Sequence, residues 1–116
     1  MPFIDISTNT STGPKKREKL LDDVVALGEK FLGKSKDVTM ARLTPDATIV
    51  FKGTSEPAAF VSIRAIGLPP VELRGQFVVA IGNLFDEVLD VPPSRVFVVF
   101  DDVPGDRWGA SGRIVG

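Results

Sequence analysis

The 116-residue sequence predicts an α+β fold built from a tandem β-α-β repeat, with a four-stranded mixed sheet and two helices on one face. Three observations predict it. Short stretches alternate apolar and polar residues, two longer stretches have helical periodicity, and both patterns occur in the same order in each half of the chain. A right-handed crossover in each unit places both helices on the same face of the sheet.

The first half of the chain has the pattern of a strand, a helix and further strands. Pro14 fits the first turn of a helix, because proline has no N–H to lose there. Between residues 19 and 32 apolar residues recur at three- and four-residue spacing, and Gly33 ends the helix. Three short runs are predicted strands: residues 3–7, 38–43 and 48–51.

The second half repeats this order. Its predicted elements are a strand over residues 59–66, a helix over residues 71–88 and a strand over residues 95–100. A shift of 58 residues aligns the two halves, and Phe31 then falls on Leu89. Because few residues are identical between the halves, it is the matching element order that predicts an internal duplication.

One predicted strand is apolar on both of its faces. Phe97-Val98-Val99-Phe100 has no polar residue on either side, although two helices can cover only one face of a sheet. The other face needs a partner, and the chain has no further element to supply one. We therefore expect a closed homo-oligomer that buries sheet against sheet.

The composition disfavours several functional classes. A net charge of -1, with acidic and basic residues interspersed, argues against a nucleic-acid partner. No apolar run approaches the roughly 20 residues of a membrane span, so no membrane partner is expected. The N-terminus lacks the basic and apolar segments of a secretory signal, which favours a cytoplasmic protein. Without cysteine there is no disulfide framework and no thiolate metal site.

The chain also contains no histidine, which restricts the candidates for a general base. Histidine is the side chain that usually titrates near neutral pH. A base must therefore be a shifted carboxylate, a shifted lysine or the N-terminal amine. Removal of Met1 is expected before a residue as small as proline, and it would give Pro2 a free secondary amine. The alternative is a proline without chemistry at the start of a strand, where its missing N–H does no harm.

Six short motifs occur in a characteristic order. They are Pro2 with residues 3–9, Leu32-Gly33-Lys34, Gly53-Thr54-Ser55-Glu56-Pro57-Ala58, Ser62-Ile63-Arg64-Ala65-Ile66-Gly67, Pro93-Ser94-Arg95-Val96 and Trp108-Gly109. Each motif alone is weak, but the combination at this spacing is specific. In these motifs the sequence resembles the macrophage migration inhibitory factor and D-dopachrome tautomerase family of the tautomerase superfamily. We therefore expect a single tautomerase-like domain over residues 1–116.

The resemblance implies a homotrimeric, cofactor-independent enzyme without a metal. In this family the N-terminal proline moves a proton between carbon and oxygen in the keto–enol tautomerisation of α-keto acids such as phenylpyruvate. By resemblance, Pro2 is the general base and then the acid, and Lys34 pairs with the substrate carboxylate. The backbone of Ile66 supplies a contact beside the substrate carboxylate. Phe97 lines the pocket from the neighbouring subunit, and Trp108 forms the pocket rim.

Several residues depart from the pattern of the animal members. Phe97 stands where they usually have tyrosine, and Val99 stands where they have asparagine, so two polar contacts are missing. Asp106 and Arg107 precede Trp108, where a more apolar approach is usual. These changes affect the expected substrate more than the fold or the base.

Alternative interpretations stay open at this point. Lys34 is also suited to stabilising the C-terminus of the first helix, and Trp108 to a subunit contact. The alternative function is a non-catalytic trimeric binding protein, or a cytokine-like signalling protein, of the same fold. A third reading is decarboxylation or dehalogenation by the same proline. Arg64 would then bind a carboxylate and Glu72 would activate water, but their spacing does not match a known pattern.

Overall fold

Each half of the chain forms a strand, a helix, a short 3-10 turn and a second strand in the computed structural model, which describes residues 1–116. The main elements are β1 (Pro2–Thr8), α1 (Pro14–Leu32), β2 (Met40–Thr44), β3 (Ala59–Ala65), α2 (Val71–Leu89) and β4 (Val96–Asp102). The 3-10 turns are Lys36–Val38, Pro93–Arg95 and Gly105–Arg107. A hairpin of β5 (Gly109–Ala110) and β6 (Arg113–Ile114) follows the third turn.

The four long strands form one mixed sheet in the order β2-β1-β3-β4. Strand β1 runs parallel to β2 and antiparallel to β3, and β3 runs parallel to β4. The register places Pro2 opposite Ala65 and Phe3 opposite Arg64, so the start of β1 and the end of β3 lie at the same end of the sheet. The predicted four-stranded mixed sheet is confirmed.

A core of 13 buried residues lies between one face of the sheet and the two helices. Alternation along β1 buries Ile4 and Ile6 on this face, and the period of α1 brings Leu20 and Val24 against them. The helix α2 contributes its largest buried side chains, Phe77, Ile81 and Phe85. Both helices therefore cover the same face, as the sequence predicts.

The end of α1 positions the residue that follows it. Gly33 adopts a left-handed conformation with φ 66°, and the N–H groups of Gly33 and Lys34 both donate to the carbonyl of Gly28. A left-handed Asp90, with φ 56°, ends α2 in the same way. The predicted helix stop at Gly33 is confirmed, and it places Lys34 at the surface of the sheet.

The spacing of the two halves differs from the prediction. The starts of β1 and β3, of α1 and α2, and of the first two 3-10 turns are each separated by 57 residues, so the predicted shift of 58 is wrong by one. That shift matched Val38 to Val96 as strand residues. Val38 instead ends a 3-10 turn, as Arg95 does in the second half.

Two other predictions need correction. Residues 48–50 form no strand, and Phe51 forms only an isolated bridge, to Thr54. The reason is that the last backbone bond from this segment to β1 is made by Ala47, whose N–H donates to the carbonyl of Thr8 at 3.0 Å. The terminal hairpin of β5 and β6 has no counterpart among the predicted elements.

The sheet face opposite the helices is uncovered by any element of this chain. Phe60, Phe97 and Val99 lie on it, and Phe97 is 57% exposed. On the β1 and β2 part of this face, Arg42 forms a two-point ion pair with Asp5. None of the helices combines the length and the apolar character that crossing a membrane requires.

Candidate active site at the start of the first strand

Pro2 is the first residue of β1 and its side chain is fully buried. It lies on the helix-covered face of the sheet, because it has the same parity along the strand as Ile4 and Ile6. Met1 precedes it and is half-buried. In this form of the chain the Pro2 nitrogen is part of a peptide bond, and the free amine belongs to Met1.

Lys34 reaches from the end of α1 to the end of β3. Its Nζ donates a hydrogen bond of 2.8 Å to the carbonyl oxygen of Ile66. Gly67 follows in a left-handed conformation with φ 79°, and a Cβ built on it would lie 3.8 Å from the same Nζ. The structure thus brings together Lys34 and Ile66, which are 32 residues apart in the sequence.

The N-terminal amine lies within electrostatic reach of Lys34. The pKa of the Met1 amine is lowered from its ordinary value, chiefly by burial and also by the positive charge of Lys34. Both causes disfavour the protonated amine. This end of the sheet therefore favours a neutral amine, which is the form that acts as a base.

A cavity of about 320 Å³ opens at the same end of the sheet. Its lining residues come from β1, β3 and the C-terminal segment: Phe3, Arg64, Val103, Arg107, Trp108 and Gly109. Two backbone bonds hold this segment in place, since Val103 donates to Ala65 at 2.8 Å and Val115 donates to Trp108 at 2.8 Å. The cavity lies at the same end of the sheet as Pro2, since Phe3 follows Pro2 and Ala65 pairs with it. Strand alternation turns Phe3 and Arg64 to the uncovered face and Pro2 to the helix-covered face.

Phe97 lies away from this site within the chain. It pairs with Phe60, which is five residues, or about 17 Å of strand, from Ala65. Its ring contacts that of Phe51, with centroids 4.7 Å apart. The contribution of Phe97 from a neighbouring subunit stays a prediction.

The structure adds cavity residues to those predicted for the site. Val103 and Arg107 line it although neither was a candidate, and the position of Arg107 directly before Trp108 is the only sequence signal for it. Arg64 lines it too, two residues before Ile66 on β3. Glu72 does not join Arg64, because it lies in the first turn of α2 beside Phe31 in a different groove.

Comparison of this chain with known proteins agrees with the fold described above. The family profile described as Macrophage migration inhibitory factor (MIF) matches residues 1–116. The chain belongs to the MIF family. This confirms the resemblance found in the motifs. The MIF-like protein mif-2 of Caenorhabditis elegans is 26% identical over 117 residues, which cover 99% of this chain and 95% of that protein.

Solved structures share the fold of this chain. The MIF homologue of Prochlorococcus marinus superimposes with a TM-score of 0.91 at 24% identity, covering 98% of this chain and 99% of that one. The crystal structure of Pt0534 inactivated by 2-oxo-3-pentynoate superimposes with a TM-score of 0.82 at 21% identity. That match covers 97% of this chain and 94% of the other.

Proposed function

We propose that this MIF-family chain is a cofactor-independent keto–enol tautomerase acting on α-keto acids such as phenylpyruvate. The base is the secondary amine of Pro2, freed by removal of Met1. The observation that carries the proposal is the position of Pro2. It is buried at the sheet end where Lys34 bonds to the carbonyl of Ile66 at 2.8 Å.

The environment suits an amine base. Removing a proton next to a carbonyl needs a base whose pKa is near the working pH, and an ordinary α-amine has a pKa of about 7.7–8.0. Burial and the charge of Lys34 lower the pKa of the Met1 amine. The same two causes would act on the Pro2 amine and favour its unprotonated form, which is the base.

Lys34 would orient the substrate. An ammonium has three N–H donors, and the carbonyl of Ile66 accepts from one, which leaves two for a substrate carboxylate. Holding the carboxylate there would direct the neighbouring carbonyl and C3 of the α-keto acid toward Pro2. This is catalysis by proximity and orientation.

The Pro2 amine would carry out both proton transfers of the reaction. The Pro2 amine takes a proton from C3, the C–H electron pair forms the C2–C3 double bond, and the carbonyl electrons move to the oxygen. The protonated amine then returns the proton to that oxygen, which gives the enol. Ketonisation is the reverse sequence, so one group serves as base and then as acid.

We also propose that the active assembly is a homotrimer. The uncovered sheet face with Phe60, Phe97 and Val99 supports a closed assembly of identical chains. Phe97 lies about 17 Å of strand from the Pro2 end within its own chain, so a neighbouring copy would have to supply it to the pocket.

The decisive experiment is the ketonisation rate of enol-phenylpyruvate by protein whose intact mass confirms loss of Met1. Two variants accompany it. Pro2→Gly replaces the secondary amine, and one extra alanine inserted before Pro2 keeps the proline but makes its nitrogen an amide. We expect a clear rate that falls at least about a hundredfold in both variants. No rate above background from processed protein would contradict the proposal and favour a binding role.

A chemical probe provides a second test. 2-Oxo-3-pentynoate, the compound that inactivated Pt0534, is an α-keto acid with a conjugated triple bond. A free Pro2 amine would add to the alkyne, with the N–H proton ending on the adjacent carbon, and the chain would gain the mass of one reagent. The variant with the extra alanine should gain none at Pro2, as peptide mapping would show.

A further inference from the structure

We infer that the substrate carries a second anionic group, and that Arg64 and Arg107 bind it in the cavity beside Pro2. The inference rests on the proposed function and narrows its substrate class. The preferred substrate would be an α-keto acid with a carboxylate at its far end, in place of a singly charged aryl pyruvate.

Two arginines line this one small cavity. Arg64 comes from β3 and Arg107 from the third 3-10 turn, and both line a space of about 320 Å³. Neither belongs to an ion pair, since the two ion pairs of the chain are Lys19–Asp23 and Arg42–Asp5. Two arginines without an ion pair at one cavity would attract a carboxylate, because a guanidinium can bind a carboxylate through two parallel hydrogen bonds.

The carboxylates near Arg64 leave its donors available. Asp5 is close enough for the charge of Arg64 to help lower its pKa, but Arg42 occupies both its oxygens, at 3.0 and 2.7 Å. Asp101 lies opposite Arg64 in the register of β3 and β4 and makes no ion pair with it. An incoming carboxylate would therefore have little competition within the chain.

The remaining walls of the cavity suit the body of such a ligand. Phe3 and Trp108 contribute two aromatic rings, and Val103 contributes an aliphatic side chain. A cavity with an apolar lining and a few convergent polar groups is typical of small-molecule sites. This lining favours an organic anion with a carbon skeleton over a small inorganic ion.

The positions of the charges match a substrate with two charged ends. Lys34 is bonded to Ile66, and Arg64 lies two residues earlier, or about 7 Å of strand away. The residue between them is Ala65, and Pro2 is its partner across the sheet. A dianionic α-keto acid that reaches around this end of the sheet, from Lys34 to Arg64 on the uncovered face, would pass the Pro2 nitrogen at the start of β1.

The test compares two matched substrates, the enols of phenylpyruvate and of 4-carboxyphenylpyruvate. We expect the processed protein to have a kcat/KM about 10- to 100-fold higher for the dicarboxylate. Arg64→Gln and Arg107→Gln should each reduce this ratio about tenfold, and the double variant should abolish the preference. Arg113→Gln, the same charge change on the exposed terminal hairpin, should leave the ratio as it is. A wild-type ratio near one would overturn the inference.

Binding separates this inference from the proposed function. Trp108 is the only tryptophan and lines the cavity, so its fluorescence reports occupancy. Terephthalate should bind about tenfold more tightly than benzoate, and Arg107→Gln should remove the difference. Such binding without turnover of either enol would refute the tautomerase but keep the anion site. Turnover of both enols at equal efficiency, with equal binding of the two probes, would refute only the anion site.

Discussion

The Nζ of Lys34 lies 2.8 Å from the carbonyl oxygen of Ile66 and so connects the residue after α1 to the residue after β3. The bond crosses from the helix layer to the end of the sheet where Pro2 begins β1. One hydrogen bond therefore holds a positive charge next to the N-terminus. The lowered pKa of the Met1 amine is partly a consequence of this charge.

Replacing Lys34 with methionine should change both the pH profile and the efficiency of the proposed reaction. The amine acts as a base only when it is unprotonated, so kcat/KM rises with pH through the amine pKa. In processed wild-type protein this rise should be centred below about 7.7–8.0. Without the charge of Lys34 the midpoint should move to higher pH, and the plateau should fall about tenfold or more because the carboxylate loses its partner.

The matched control is Lys36→Met. Lys36 lies two residues further on, is exposed, and makes no side-chain hydrogen bond. The Lys36→Met variant should have the same pH midpoint of kcat/KM as the wild-type protein. Equal profiles for Lys34→Met and wild type would show that Lys34 neither perturbs the amine nor binds the substrate.

Arg95 should be a main determinant of stability. It is only 7% exposed, and its guanidinium donates to the backbone carbonyls of four residues: Phe51, Thr54, Glu56 and Pro57. Arg95→Met would leave the carbonyl of Pro57 without a donor, remove one of the donors to the other three carbonyls, and release the loop from β4. We expect a loss of about 3 kcal/mol in the free energy of unfolding, measured by urea denaturation.

Arg74→Met provides the comparison for this effect. The Arg74 side chain makes one hydrogen bond, from Nε to the carbonyl of Pro69 at 3.1 Å. Its loss should cost about 1 kcal/mol or less. If the two variants lost equal stability, the loop would not depend on the guanidinium of Arg95.

Two glycines within α2 should respond differently to alanine. A Cβ on Gly75 would meet no atom within 4 Å, so Gly75→Ala should stabilise the protein by about 0.5–1 kcal/mol through helix propensity. A Cβ on Gly82 would lie 3.3 Å from the Cβ of Pro93, so part or all of the same gain should be lost to crowding. Denaturant unfolding should rank Gly75→Ala above Gly82→Ala, and the reverse order would contradict the packing described for Pro93.

The Asp5–Arg42 ion pair predicts a specific pH dependence of stability. Hydrogen bonds and charge from Arg42, with a further contribution from Arg64, lower the pKa of Asp5, while burial opposes them. A carboxyl with a lowered folded-state pKa stabilises the protein above its ordinary pKa, and this stability is lost as the pH falls through the folded-state value. The Tm of wild type should therefore exceed that of Asp5→Asn at pH 7, and the difference should close below about pH 4.

Asp23→Asn tests whether an exposed ion pair gives the same pH dependence of Tm. Asp23 pairs with Lys19 at 3.0 Å on the exposed surface of α1, where the lysine side chain is 77% exposed. Its effect on Tm should be small at every pH, since solvent screens exposed pairs. A difference as large as that of Asp5→Asn would mean that the two-point geometry of Asp5 and Arg42 adds nothing.

Local patterns in the sequence determined the elements that depend on local interactions. The helical periodicity before Gly33 predicts one broad buried face of α1. Its eight positions include the four buried residues of the helix, and the other four are partly buried: Leu20, Val24, Gly28 and Leu32 are buried, and Leu21, Val25, Leu27 and Phe31 are partly buried. Alternation over residues 3–7 correctly predicts the two faces of β1. These patterns suffice because helix periodicity, strand alternation and left-handed helix ends follow from steric and burial preferences of nearby residues.

Pairing of distant segments decided the elements that the sequence did not predict correctly. Residues 48–51 have the composition of a strand, but a strand needs a partner for its backbone, and after Ala47 the segment makes no backbone hydrogen bond to the sheet. The carbonyls of Phe51 and Thr54 bond to Arg95, which lies more than 40 residues further along the chain. No local pattern encodes such a contact.

The candidate site also has one part that the sequence predicts and another part that only the tertiary structure brings together. The resemblance to the MIF family predicts roles for Pro2, Lys34, Ile66 and Trp108, because each stands at a recognisable position in a motif. The cavity that Arg64 shares with Arg107 was not predicted, although both residues are visible in the sequence. Its formation depends on the register of β1 with β3 and on the bonds that fold the C-terminal segment over the end of the sheet. Those are long-range contacts, whose geometry is set only when the whole sheet assembles.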